Sequence, residues 1–200
     1  MRLLLLGTRN PGKLREITSI LKGSGWSFSS LQEFDHVGSA EENGVTYSEN
    51  AIAKAQFYAA ATGLVALADD SGLEVAALSG APGVYSARYA GENASDADRR
   101  QLLLSELSKT SNTDRRARFV CVVAIADPSG SVLNLSEGIC RGTITFASRG
   151  DGGFGYDPIF IPDGYTQTFA ELPETLKNRI SHRALALAQT KEFLATDLRG

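Results

Sequence analysis

Arg2-Leu3-Leu4-Leu5-Leu6-Gly7-Thr8-Arg9-Asn10-Pro11-Gly12-Lys13 opens the chain, and its order of residue types decides the fold class. A short apolar run closed by glycine reads as a buried strand. Pro11 suits the first position of a helix, where its missing N–H costs nothing. Behind it Leu14, Ile17, Ile20 and Leu21 recur at helical spacing, until Gly23 and Gly25 stop the helix. A strand feeding straight into a helix begins an α/β domain.

The same reading extends outward. A polar loop, 38–44, leads into an alanine-rich helical segment, 47–62, ended by Gly63. Residues 64–68 form another buried strand, which Asp69-Asp70-Ser71-Gly72 breaks. Ser95-x-x-Asp98 is a capping box before a helix carrying Leu102, Leu103, Leu104 and Leu107. Residues 119–126 are β-branched and aromatic, Asp127-Pro128-Ser129-Gly130 is a turn, 131–135 is the return strand and 142–146 a third. A last helix starts near Ser181 with Leu185, Leu187, Ala188 and Leu194 as its apolar face. With no linker or repeat, residues 1–200 read as one α/β domain with a mixed sheet flanked by helices.

Composition narrows the function classes. Hydrophobic residues at 42% and charged residues at 22% exclude a disordered chain and a coiled coil. The apolar runs fall short of the ~18–20 residues of a membrane span, and no signal-peptide core follows Arg2. A net charge of −3 argues against nucleic acid as partner, because phosphate backbones are held by basic surfaces. Cys121 and Cys140 lie in apolar stretches without C-x-x-C spacing, which suits buried thiols in a reducing cytoplasm.

Five segments carry candidate chemistry. Gly7 to Lys13 matches G-x-x-x-x-G-K at a helix N-terminus, where N–H groups, dipole and Lys13 favour phosphate. The same residues also suit an ordinary strand–turn–helix with a surface lysine. Leu14 stands where a P-loop has Ser or Thr for Mg²⁺, which speaks against a P-loop kinase or GTPase. Asp69 and Asp70 follow a strand, where open α/β sheets place ligands, and Mg²⁺ takes one or two carboxylates plus phosphate oxygens. Glu41 or Glu42 supplies a further ligand; a solvated turn is the alternative. Asn50 and Lys54 share a helix face. Gly150-Asp151-Gly152-Gly153-Phe154-Gly155-Tyr156-Asp157-Pro158 offers flexible backbone beside aromatics, which suits either a planar base or a core-anchored loop. Lys177 and Ser181-His182-Arg183 place positive charge at the last helix. Neither His182 nor His36 has a partner at zinc-ligand spacing.

Thr8-x-Asn10-x-x-Lys13, Glu41-Glu42-Asn43-Gly44, Glu49-Asn50-Ala51, Ala68-Asp69-Asp70-Ser71-Gly72-Leu73 and Gly80-Ala81-Pro82-Gly83 stand in order along the chain. Ser86-Ala87-Arg88-Tyr89, Gly152-Gly153-Phe154-Gly155-Tyr156-Asp157-Pro158, Lys177 and Ile180-Ser181-His182-Arg183 follow. Together they resemble the inosine/xanthosine triphosphate pyrophosphatases, the Ham1-like nucleotide hydrolases, in their bacterial form. Leu172-Pro173-Glu174-Thr175-Leu176 departs from a more acidic stretch before the lysine. The resemblance implies an elongated mixed sheet with a central substrate cleft, and a cytoplasmic homodimer. It implies Mg²⁺-dependent hydrolysis of ITP, dITP and XTP to monophosphate and pyrophosphate. By motif, Thr8, Arg9, Asn10, Pro11, Gly12, Lys13 and Lys177 bind the triphosphate. Asp70 is general base and metal ligand, with Glu41 or Glu42, and Asp69 beside it. Ser71 contacts substrate, Phe154, Gly155, Tyr156 and Asp157 hold the base, and His182 and Arg183 read its edge.

Overall fold

The leucine run extends as β1 (Arg2–Leu6), and Pro11 starts α1 (Pro11–Leu21), as the residue order predicts. The computed structural model describes residues 2–197. After these come β2 (Trp26–Ser30), α2 (Tyr47–Thr62), β3 (Val65–Val75) and α3 (Asp96–Lys109). The chain continues as β4 (Arg116–Ala126), β5 (Val132–Ile144), β6 (Phe160–Pro162), α4 (Glu174–Ile180) and α5 (His182–Asp197). The strands form one mixed sheet in the order β2-β1-β3-β4-β5-β6. β1 runs parallel to β2 and β3, with Leu4 opposite Phe28 and Val65, while β6 lies antiparallel on β5. No helix among the described residues is long and apolar enough to cross a membrane.

Two compact units make up the chain. The first holds Met1–Asp70, Cys121–Gly138 and Arg183–Gly200; the second holds Ser71–Val120 and Ile139–His182. In the first, Leu4, Leu6 and Leu67 pack with Ile17 and Leu21 of α1, with Val123 and Ile125, and with Leu187 and Leu194 of α5. In the second, Phe119, Phe160 and Phe169 stack among Leu73, Val75, Leu103 and Tyr156. Both cysteines are buried and free.

Several boundaries differ from the expected ones. Asp69 and Asp70 do not break their strand, since β3 runs on to Val75. The segments 131–135 and 142–146 belong to a single β5, because its inward positions are small or polar, Ser136, Gly138, Cys140 and Gly142, and hide the alternation. β2, rich in serine and half-buried, β6, only three residues long, and α4 carry too little apolar pattern to be predicted. Leu185 faces outward, and Ala184, Ala186, Leu187 and Leu194 form the buried face of α5.

Gly7 shows why the first turn needs glycine. Its N–H donates to the Leu67 carbonyl at 2.7 Å, and a Cβ there would meet Tyr58 Cδ2 at 2.8 Å and Leu67 O at 3.0 Å. Gly7→Ala is expected to destabilise the chain by about 1–3 kcal/mol through this overpacking. Urea unfolding checks it; an unmoved midpoint would mean the neighbours give way freely.

Candidate active site

Successive strand residues point to opposite faces, so β3 delivers its two aspartates to different partners. Asp70 faces α2. One carboxylate oxygen accepts from Asn50 Nδ2 at 3.0 Å, and the other meets Lys54 Nζ at 3.1 Å. Asn50 and Lys54 lie one turn apart on α2 and are both buried. Asn50 Oδ1 also accepts the Gly44 N–H at 2.8 Å, and a Cβ on Gly44 would come within 2.7 Å of that oxygen. Gly44 therefore seats the Glu41-Glu42-Asn43-Gly44 segment on the helix. Glu42 lies 3.4 Å from Lys54 Nζ, whereas Glu41 is exposed and accepts from Asn43.

One ammonium thus serves two carboxylates, Asp70 and Glu42. Burial raises the Asp70 pKa more than Lys54, Lys13 and Asn50 lower it, with Glu42 adding to the rise. Burial pulls the Lys54 ammonium down, but Asp70, Asp69 and Glu42 outweigh it and the net direction is upward. The group keeps a surplus negative charge, which suits a cation. No cluster of three or more metal-ligating side chains stands ready among the described residues. Mg²⁺ is ordinarily held by one or two carboxylates with phosphate oxygens and water in the other positions. Asp70 with Glu41 or Glu42 would supply those carboxylates.

Asp69 lies in a different group. Its Oδ2 pairs with Lys13 Nζ at 3.0 Å and with Arg183 Nη2 at 3.0 Å, and Arg183 Nη1 reaches Glu16 at 2.6 Å. Burial pushes the Asp69 carboxyl up, but Lys13 and Arg183 outweigh it and hold it well below the usual range. Two cations thus offset its charge. Arg183 is 1% exposed and its guanidinium is committed to Asp69 and Glu16. The structure thus places the Arg183 guanidinium between two buried carboxylates.

The first turn of α1 is capped by its own side chains. Thr8 Oγ1 accepts the Asn10 N–H at 3.2 Å, and Asn10 Oδ1 accepts from Gly12 at 2.8 Å and Lys13 at 3.1 Å. Pro11 has no N–H to give. The backbone donors on which a phosphate cradle would rest are occupied by the cap, so Lys13 is the main cationic group of that turn. Arg9 turns instead to the Val37 carbonyl at 2.7 Å and fixes the loop before α2.

In the second unit, the Phe154 N–H donates to Asp157 Oδ2 at 2.8 Å. The same oxygen receives the Lys177 ammonium, which also lies 4.7 Å from the Phe154 ring centre. Lys177 was expected on the triphosphate; it is buried against Asp157 and two aromatic rings. Tyr156 is a core residue whose hydroxyl donates to the Ser86 carbonyl at 2.9 Å. Phe154 and Gly155 are half-buried, between the exposed residues 150–153 and the buried Tyr156 and Asp157. His182 lies flat on Phe119, with centroids 4.5 Å apart and planes 9° apart. Ser71 is half-buried on β3.

Sequence reasoning left Asn50 and Lys54 without a role and missed Glu16 and Phe119. An acid at Glu16, beside the apolar Ile17 on the buried face of α1 and three residues after Lys13, was the available signal.

The Ham1 family model matches residues 4–193. A dITP/XTP pyrophosphatase from Desulforamulus reducens is 50% identical, covering 96% of this chain and 94% of its own. One from Geobacter sulfurreducens is 50% identical, with 97% of each covered. Among solved structures, a HAM1 protein from Coxiella burnetii superposes with a TM-score of 0.90 at 44% identity, covering 98% of this chain and 100% of that one.

Proposed function

We propose, from the premise that this chain belongs to the Ham1 family, that it is a pyrophosphatase of non-canonical purine nucleoside triphosphates. It hydrolyses ITP, dITP and XTP to the monophosphate and pyrophosphate, and so clears deaminated purines from the nucleotide pool. The observation that supports this best is Asp70, a buried carboxylate whose pKa is raised while Asn50 and Lys54 fix its position. A carboxylate so held orients a water and takes its proton as the oxygen attacks the α-phosphorus. The bond to the pyrophosphate oxygen then breaks, and Lys13 and Lys54 offset the charge that leaves. Asp70 with Glu41 or Glu42 would hold Mg²⁺, which would supply charge neutralisation and a more acidic water when bound. The side chains of Thr8, Asn10 and Ser71 complete the proposed triphosphate contacts.

Base selection is a donor–acceptor problem. Hypoxanthine and xanthine present a 6-keto acceptor, whereas adenine presents a 6-amino donor. A buried protein donor left unpaired by adenine costs ~1–3 kcal/mol. With the Arg183 guanidinium engaged elsewhere, we assign the base to Phe154, Gly155, Asp157 and His182, Lys177 holding Asp157 in place. A homodimeric state, a cytoplasmic location and the absence of nucleic-acid or membrane partners belong to the same proposal, supported by the resemblance and the net charge of −3.

The products test it. ITP is expected to give IMP and pyrophosphate as first products in a Mg²⁺-dependent reaction, read by chromatography. IDP and orthophosphate would overturn attack at the α-phosphorus.

A further inference from the structure

Phe154 stands between two glycines in the left-handed region, Gly153 at φ 70° and Gly155 at φ 60°. Glycine admits both hands of backbone, so such a loop by itself leaves the ring many positions. Two side chains of α3, 59 and 55 residues upstream, remove that freedom. The Gly155 N–H donates to Asp96 Oδ2 at 2.7 Å, and the Gly155 carbonyl accepts from Arg100 Nη1 at 2.7 Å. Both bonds are charge-assisted, and such bonds are roughly twice as strong as neutral ones.

Asp96 and Arg100 lie four apart on α3 and share a face. Arg99 steadies Asp96 from the next turn at 2.7 Å. Neither residue caps the helix or packs in its core, although Asp96 stands with Asp98 in its acidic first turn: Ser95 and Asp98 form the capping box, and Leu103 and Leu107 are the buried residues. The pair holds the two peptide groups that flank Gly155 in a distant loop, one by its N–H and the other by its carbonyl. On the other flank of Phe154, Asp157 holds that residue's own N–H.

We propose that Asp96 and Arg100 are positioning residues that set the place of Phe154, and through it the affinity and selectivity for the purine base. This inference rests on the assignment of the Phe154 loop to the base. It places a specificity device on α3, a helix that carries none of the motifs of the resemblance.

The test compares Asp96→Ala, Arg100→Ala and the double variant with the wild-type chain. The readouts are kcat and KM for ITP and ATP, the inhibition constant of inorganic tripolyphosphate, and the thermal midpoint. Each single variant is expected to raise KM for ITP about tenfold, the scale of one lost charge-assisted bond, with kcat within about twofold. Because both bonds hold the same residue, Gly155, the two losses should be coupled and the double variant should cost less than their sum. Tripolyphosphate has no base, so its inhibition constant should not move. Asp96→Asn keeps an acceptor and should recover most of the KM. Unchanged ITP kinetics in both variants overturns the inference, and so does an equal loss for ITP and tripolyphosphate with a fallen thermal midpoint. A wild-type chain that hydrolyses ITP no better than ATP overturns the assigned function and this inference together.

Discussion

Asp70→Asn is expected to lower kcat for ITP by ~10²–10⁴, the usual scale for loss of a general base. The amide keeps the shape and a hydrogen bond to the α2 side chains, but it cannot accept the proton of the attacking water. Lys54 retains Glu42 at 3.4 Å, so the ammonium is not stranded and the fold should survive. A circular dichroism spectrum and thermal midpoint close to wild type would establish that. The pH profile adds a second reading of the same residue. Asp70 works in its ionised form, so kcat/KM falls as pH drops through its pKa. Burial raises that pKa in the metal-free chain, and a Mg²⁺ held by Asp70 would lower it, so the acid limb should move to lower pH as Mg²⁺ is added. Near-normal turnover of the variant would sink the assignment of Asp70 as base.

Arg183→Met is expected to cost about 3–5 kcal/mol of stability, because breaking a buried ion pair leaves its partner charge uncompensated. The guanidinium bridges Glu16 and Asp69, and neither carboxylate is more than slightly exposed. Lys13 still reaches Asp69, so the larger part of the loss falls on Glu16. Adding Glu16→Leu removes the stranded charge and should recover part of the stability, since a buried pair replaced by apolar groups is often near neutral. Denaturant midpoints of the single and double variants give the comparison. Turnover of ITP and ATP should fall together in the folded fraction. A loss confined to ITP, with stability intact, would return Arg183 to the base edge.

The two variants also mark how far a linear reading reaches. Leucines before glycine and proline after it specify a strand–turn–helix through local preferences, and β1 and α1 follow them. The capping box at Ser95 and the left-handed Gly63 after α2 are likewise local, and both stand where expected. The motif set also marks the family, because residue types at fixed spacing are a property of the chain alone.

What the chain order could not decide is which groups share a charge. Asp69 and Asp70 look alike in sequence, yet strand pleat turns them to opposite faces, one to Lys13 and Arg183 and the other to Asn50 and Lys54. Glu16 meets Arg183 across 167 residues, and Asp96 meets Gly155 across 59. Such pairings follow from packing around the cores rather than from local backbone preference. Burial then amplifies them, since a charge removed from water must find its partner nearby. Residue identity and spacing determined the fold class, the family and the list of candidates; tertiary packing alone decided which candidates are buried ion pairs and which hold a loop, because desolvation and through-space charge leave no mark on sequence separation.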